Sequence, residues 1–117
     1  MVEQRAGIQV QFTHEPCPAL SEEIEQSLYY IAEEALNNAL KHAAAAEVRV
    51  AVTYPPGHVR LCVKDNGCGF DIAHASRGLG LQSLRERVEA LAGELTIASE
   101  PGEGTRVVAR LPLSDDH

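Results

Sequence analysis

Tryptophan is absent from these 117 residues, and aromatic residues make up only 4% of them. Aliphatic side chains must therefore fill any core, and the aromatic platforms that grip single-stranded nucleic acid are largely missing. Cysteine is also scarce. Cys17, Cys62 and Cys68 form an odd set with no CxxC pair and no histidine spacing that would close a zinc site. That argues against a disulfide scaffold or structural zinc and fits a reducing cytosol. Positive charge is short as well, because 10 Lys and Arg against 17 Asp and Glu leave a formal charge of −7. Lys and Arg form no cluster along the chain, so nucleic acid is not an expected partner. No apolar run approaches the roughly 18 residues of a membrane span. Met1-Val2-Glu3-Gln4-Arg5 leads into no apolar signal segment. No membrane contact is expected of this stretch, which leaves open an anchor elsewhere in a longer parent protein.

What is present is 44% hydrophobic and 23% charged residues, the balance of a folded chain, at a length that suits one domain. Ile8-Gln9-Val10-Gln11-Phe12 alternates apolar and polar side chains, which predicts a half-buried strand ended by Pro16-Cys17-Pro18. Ser21 suits an N-cap, and Glu22 and Glu23 suit a first helical turn. Ile24, Leu28, Ile31, Ala35, Leu36 and Ala39 then recur at helical spacing, so a long helix is expected over 21–45. Val48-Arg49-Val50-Ala51-Val52 and Val59-Arg60-Leu61-Cys62-Val63 flank a Pro- and Gly-bearing turn and predict a hairpin. A glycine-rich loop over 65–80 leads to a second helix marked by Leu84, Val88 and Leu91, with Gly93 expected in the C′ position past its end. Strands over 95–99 and 105–111, joined by a turn at 100–104, follow it. This order predicts an α+β fold with helices packed on one face of a mixed, mainly antiparallel sheet.

Glu34, Asn38, Lys41 and His42 share one flank of the long helix, beside its apolar stripe. Glu34 and Asn38 are one turn apart. Two oxygen-bearing side chains stacked in this way can hold a hard cation and its waters, while Lys41 or His42 faces phosphate. The same residues equally suit the solvated side of an amphipathic helix, where a Glu–Lys pair contributes little. Asn37-Asn38 is the unusual feature, since Asn in mid-helix competes for backbone hydrogen bonds. In Val63-Lys64-Asp65-Asn66-Gly67-Cys68-Gly69-Phe70 a carboxylate stands where a strand ends, and two glycines let backbone pass close to a flat ligand. A buried Asp65 accepting from an exocyclic amine would choose adenine over guanine, although a plain turn also explains Asp65-Asn66-Gly67. Gly78-Leu79-Gly80-Leu81 enters the second helix with backbone N–H groups that suit a polyphosphate. Rossmann and Walker readings fail, because no helix follows Gly69 directly and no Gly-Lys-Ser/Thr ending occurs.

Three blocks stand in a fixed order: Glu34-Ala35-Leu36-Asn37-Asn38-Ala39-Leu40-Lys41-His42-Ala43, Asp65-Asn66-Gly67-Cys68-Gly69-Phe70, and Gly78-Leu79-Gly80-Leu81. Together they resemble the N, G1 and G2 boxes of the Bergerat-fold (GHKL, HATPase_c) ATP-binding superfamily. Leu84-Arg85-Glu86-Arg87-Val88 and Pro101-Gly102-Glu103-Gly104-Thr105 are similar to sensor histidine kinases of the nitrate/nitrite-sensor-like subfamily. The resemblance runs from Gly7 to Leu113 and implies a Bergerat-type α/β sandwich, with ATP and Mg²⁺ between the helices and a short lid.

That resemblance implies that Glu34, Asn38 and Lys41 are catalytic, Asn38 as the Mg²⁺ ligand and Glu34 orienting a water or the attacking group. Lys41 and His42 would lie near the phosphates and Asp65 would bond the adenine amine. Gly67, Gly69 and Phe70 would shape the base pocket, and Thr105 would complete the adenine contacts. Gly78, Leu79, Gly80 and Leu81 would form the phosphate-side hinge, while Arg77 either pairs with phosphate or is a plain loop charge. The implied activity passes the γ-phosphoryl group of ATP to a His on dimerisation helices expected to lie outside this chain, for relay to a response regulator. On this reading the domain alone is a cytoplasmic monomer. His14-Glu15 mimics the phosphoacceptor dipeptide but follows a strand and precedes Pro16, so it is set aside. His58, His74 and His117 are expected in turns or tails. Two other readings are an anti-sigma-factor-type serine kinase of the same fold and an ATP-sensing module without transfer.

Overall fold

The computed structural model describes residues 2–5, 8–14, 20–41, 47–67, 81–99 and 104–113. Along the chain lie β1 (Val2–Arg5), β2 (Ile8–His14), α1 (Glu22–Lys41), β3 (Glu47–Thr53), β4 (His58–Asp65), α2 (Leu81–Ala90), β5 (Glu94–Ser99) and β6 (Thr105–Pro112). The strands form one sheet in the order β1-β2-β3-β4-β6-β5. β2 and β3 run parallel, Gln9 opposite Glu47 through His14 opposite Val52, with α1 between them in the chain. The other four pairings are antiparallel, so the expected mixed, mainly antiparallel sheet is what forms. β1 was not expected, because a four-residue edge strand carries too little alternation to be read.

α1 begins where its cap chemistry says it should. The Ile24 N–H donates to Ser21 Oγ at 3.2 Å and the Glu25 N–H to the Ser21 carbonyl at 3.0 Å, while Glu22, Glu23 and Glu25 place negative charge at the positive end of the helix dipole. Ile24, Ser27, Ile31 and Ala35 recur every three to four residues and are buried, with Leu36 beside them. The expected continuation to residue 45 lies outside the described residues. Beneath α1 and α2, alternate residues of the central strands supply the core: Val48 and Val50, then Val59, Leu61 and Val63, then Val107, Ala109 and Leu111. Leu84 and Val88 of α2 complete it. Each such aliphatic side chain contributes about 1.5–3 kcal/mol on burial. The Arg87 guanidinium lies 4.3 Å from the centre of the Tyr30 ring and ties α2 to α1. Among the described residues, no helix is long and apolar enough to cross a membrane.

The end of α2 corrects one expectation. The Gly93 N–H donates to the Val88 carbonyl at 2.9 Å and the Ala92 N–H to the Glu89 carbonyl at 3.0 Å, the paired bonds of a Schellman turn. The left-handed residue is therefore Ala92, at φ 59°, and Gly93 is one place further on. Gly93 is needed for a different reason. A Cβ there would meet the Arg110 carbonyl oxygen at 2.5 Å and Leu111 Cδ2 at 2.6 Å, so only a residue without a side chain lets the turn press against β6. His14 is the last residue of β2 rather than following it; His58 departs from its expected place in a turn, since it opens β4 half-buried with Nδ1 3.0 Å from the Pro56 carbonyl oxygen. His74 and His117 lie outside the described residues.

A second correction concerns charge. Lys and Arg do not cluster along the chain, yet Arg49, Arg60, Lys64, Arg106 and Arg110 all occupy the outward parity of β3, β4 and β6, on the sheet face away from the helices. Strand alternation selects the face and strand register brings the side chains together.

Replacing Ala92 with Gly relieves a left-handed alanine, and after the greater freedom of glycine in the unfolded chain is subtracted it should raise stability by about 0.5–1 kcal/mol. Gly93→Ala should lower it by about 1–3 kcal/mol through overpacking against β6. Thermal melts of the two variants beside the wild type check both signs.

Candidate functional site

The inward parity of β4 carries Val59, Leu61 and Val63 into the core and ends on Asp65, a carboxylate only 7% exposed. Asp65 stands opposite Val48 of β3 on one side and Thr105 of β6 on the other. The Gly67 N–H donates to Asp65 Oδ1 at 2.8 Å, which closes a turn at the strand end. Burial pushes the Asp65 carboxyl above its ordinary range, and the backbone N–H groups of Gly67 and Thr105 partly oppose that push.

Three further contacts fix the surroundings. Asn66 is clamped to the start of β3, its Oδ1 accepting from the Glu47 N–H at 2.8 Å and its own N–H donating to the Glu47 carbonyl at 3.2 Å. Thr105, also 7% exposed, shares a 2.8 Å hydrogen bond between its Oγ1 and Ser99 Oγ, and Ser99 Oγ donates to the Gly104 carbonyl at 3.2 Å. Gly104 has φ +81° and a Cβ there would lie 2.5 Å from the Asp65 carbonyl oxygen, so conformation and space both demand glycine.

Topology brings the remaining candidates toward this end of the sheet. α1 ends at Lys41, separated by five residues from the start of β3 beside Asn66, so the half-buried Asn38 and, one turn earlier, Glu34 lie on the part of α1 nearest Asp65 in the connectivity. α2 turns back tightly into β5, which directs Leu81 at its start toward the same end as Ser99 and Thr105. Of the residues selected from sequence, Glu34, Asn38, Asp65, Gly67 and Thr105 are placed with their surroundings, and Lys41 and Leu81 by backbone alone. His42, Gly69, Phe70, Arg77, Gly78, Leu79 and Gly80 lie outside the described residues.

Sequence reasoning missed Ser99 and gave Asn66 no role. A polar residue closing the inward series Leu95, Ile97, Ser99 is the signal that would have found Ser99. Asn66 acts across a strand pair, which no local pattern reveals. Described residues form two hollows. One of about 240 Å³ opens at the Asp65 strand end itself, lined by Glu47, Arg49, Lys64, Asp65 and Asn66, and one of about 470 Å³ lies away from it between α1 and α2 near Glu23, Tyr30 and Arg87. Among the described residues no three His, Cys, Asp or Glu side chains converge to hold a metal. Asn38 and Glu34 stand one turn apart on α1, an amide and a carboxylate of the oxygen chemistry that a hard cation takes when it keeps several waters.

A helix layer over one face of a mixed, mainly antiparallel sheet, with a buried carboxylate at a strand end, defines an α/β sandwich. Residues 23–115 match the model of the histidine kinase-, DNA gyrase B- and HSP90-like ATPase family, and the chain belongs to that family. ATP is the substrate that this membership carries. The signal transduction histidine-protein kinase/phosphatase DegS of Bacillus subtilis (strain 168) is 40% identical over 99 residues, 81% of this chain and 26% of that protein. The sensor histidine kinase YhcY of the same strain is 38% identical over 109 residues, 92% of this chain and 29% of that protein. The chain thus spans under a third of the length of these relatives. Among solved structures, the blue-light activated histidine kinase of Erythrobacter litoralis EL346 superposes with a TM-score of 0.78 at 28% identity, over 96% of this chain and 37% of that one. The ATP-binding domain of PrrB from Mycobacterium tuberculosis shares the fold, with a TM-score of 0.65 at 23% identity over 91% of this chain and 82% of that one. The protein is a histidine kinase-like ATPase domain homologous to sensor histidine kinases.

Because the folded state raises the Asp65 pKa, the native protein holds this proton more tightly than the unfolded chain, and stability falls as pH rises through the interval between the two values. Asp65→Asn removes the buried charge but keeps an oxygen for the Gly67 N–H. It should melt above the wild type at pH 7, and the difference should vanish as pH falls below the ordinary carboxylate range. Melting curves of both proteins from pH 3 to pH 8 read the sign.

Proposed function

We propose that this chain is the ATP-binding catalytic domain of a sensor histidine kinase that binds ATP with Mg²⁺ and donates the γ-phosphoryl group to a histidine on partner dimerisation helices. The phosphoryl group then passes to an Asp of a response regulator. The observation that carries the reading is the buried Asp65 carboxylate, held by the Gly67 N–H at the end of β4.

In this reading Asp65 accepts from the exocyclic amine of adenine and selects against guanine, which presents a carbonyl there. Gly67 and Thr105 hold that carboxylate in place, and Ser99 fixes the Thr105 side chain. Asn38 and its neighbour Glu34 supply the oxygen donors for Mg²⁺, which when bound neutralises phosphate charge. Glu34 orients the attacking group, and Lys41 and His42 approach the phosphates. Gly69 and Phe70 line the base pocket, and Arg77, Gly78, Leu79, Gly80 and Leu81 form the phosphate side. Phosphoryl transfer of this kind depends on positioning and charge neutralisation more than on covalent participation by the protein. The Leu84-Arg85-Glu86-Arg87-Val88 stretch supports the narrower nitrate/nitrite-sensor-like placing. The anti-sigma-factor-type and sensing-module readings are not favoured, since the relatives quoted above are named histidine kinases.

Isothermal titration should give saturable binding of ATP with Mg²⁺ and little binding of GTP. Asp65→Asn should weaken ATP about 10- to 100-fold, the range for losing a charged hydrogen bond. Asn38→Asp should alter the Mg²⁺ dependence with the fold intact. Equal affinity for ATP and GTP, or an Asp65→Asn variant that binds ATP as well as the wild type, would sink the adenine assignment. A longer chain carrying the dimerisation helices should acquire acid-labile phosphate from ATP, and a lack of any would remove the transfer step.

A further inference from the structure

Half of the chain's 10 Lys and Arg residues stand on the sheet face that the helices leave open, in a chain whose formal charge is −7. They are arranged in rows across the strands. Lys64 lies directly opposite Arg49 on one side and Arg106 on the other. Arg60 lies directly opposite Arg110 in a second row. Like charges set opposite one another on neighbouring strands oppose folding, so these rows weaken the sheet that carries them. Relief among the described residues is slight. Among the described residues, the one ion pair formed by any of the five is Arg49 Nε with Glu47 Oε1 at 3.0 Å, and Glu94 is the one carboxylate placed opposite them in register, beside Arg110.

Between the two rows runs a third that is small and apolar at its centre. Ala51, Cys62 and Val108 are in register on β3, β4 and β6, half-buried, with Thr96 continuing the row on β5. Cys62 and Val108 are flanked on both sides by long cationic side chains and Ala51 by Arg49 on one side and Thr53 on the other, so a trough of short side chains crosses β3, β4 and β6. Two-residue steps along β4 set the cationic rows about 13 Å apart. A helix with its side chains is about 10–12 Å across.

We infer that this open face docks an amphipathic helix of a partner protein, laid across the strands with small apolar residues on the Ala51, Cys62, Val108 row and carboxylates along both flanks. The match is one of charge and of width. The flanking carboxylates meet the Lys64 row on one side and the Arg60 row on the other, and the helix's apolar stripe covers the half-buried centre. A flat polyanion would engage the cations but leave the apolar row without a counterpart.

The probe is a designed helical peptide of about 18 residues, long enough to hold a helix, with Ala and Leu on one face and Glu on both flanks. A scrambled peptide of identical composition and a DNA duplex serve as comparisons. Titrated into the labelled chain and followed by amide NMR, the designed peptide should shift Arg49, Cys62, Lys64, Arg106 and Arg110 saturably and leave Asn38 and Asp65 in place. Affinity should drop in about 0.5 M salt, where exposed charge pairs are screened. Lys64→Glu with Arg106→Glu should weaken binding about tenfold or more, while Lys64→Glu alone should keep or raise the melting temperature, because it places a carboxylate between two arginines. Absence of saturable shifts overturns the proposal. Equal binding of the scrambled peptide or of DNA overturns it too, making the face a general polyanion surface. A Lys64→Glu variant that melts below the wild type would make the cationic row a structural element and defeat the inference.

Discussion

The alternation of β4 is the constraint on which the rest of this molecule depends. Its residues point by turns into the helix layer and out of the opposite face, and its register with β3 and β6 is fixed by the apolar series Val59, Leu61 and Val63. That one parity buries Asp65 at the end of the series and sends Lys64 outward. A slip of one residue would exchange the two, placing a lysine in the core and the carboxylate in solvent. The buried acceptor and the outward cationic rows are therefore two consequences of a single register.

A carboxylate at Asp65 costs the fold something, since burial disfavours its charged form. The structure offsets that cost only in part, with the N–H groups of Gly67 and Thr105. Much of the local architecture serves this arrangement. Asn66 clamps the strand end to β3, Gly104 lets β6 begin against the Asp65 carbonyl, and Ser99 fixes Thr105. The carboxylate itself is held by two backbone N–H groups, and the surrounding contacts fix the strand ends that carry them.

The end of α2 follows a different logic. Ala92 takes the left-handed conformation and Gly93 gives up its side chain, although glycine favours the first role as well. Close packing decided the matter. A side chain at 92 is tolerated at a conformational cost, whereas one at 93 would strike the backbone of β6.

Much was legible in the chain alone. Ser21 as cap, the helical spacing from Ile24 to Ala35, the hairpin before Asp65 and each of the three blocks that resemble ATP-binding boxes are local patterns, fixed by residues within a few positions of one another, and the order of the blocks is read directly along the chain. They led to the α+β class, to the family and to the choice of Glu34, Asn38 and Asp65. Pairing between distant strands lies beyond such patterns. The clamp from Asn66 to Glu47 and the opposition of Lys64 with Arg106 join segments far apart in sequence, whereas the short β1 and the bond from Ser99 to Thr105 join near neighbours whose residues carry too little pattern to be read. The sequence by itself determined the elements and the chemistry carried at their ends. Tertiary structure alone decided how deeply Asp65 is buried, which residue turns left-handed after α2, and that scattered cations meet on one face, because register and packing are set by contacts between strands that the chain's local order does not contain.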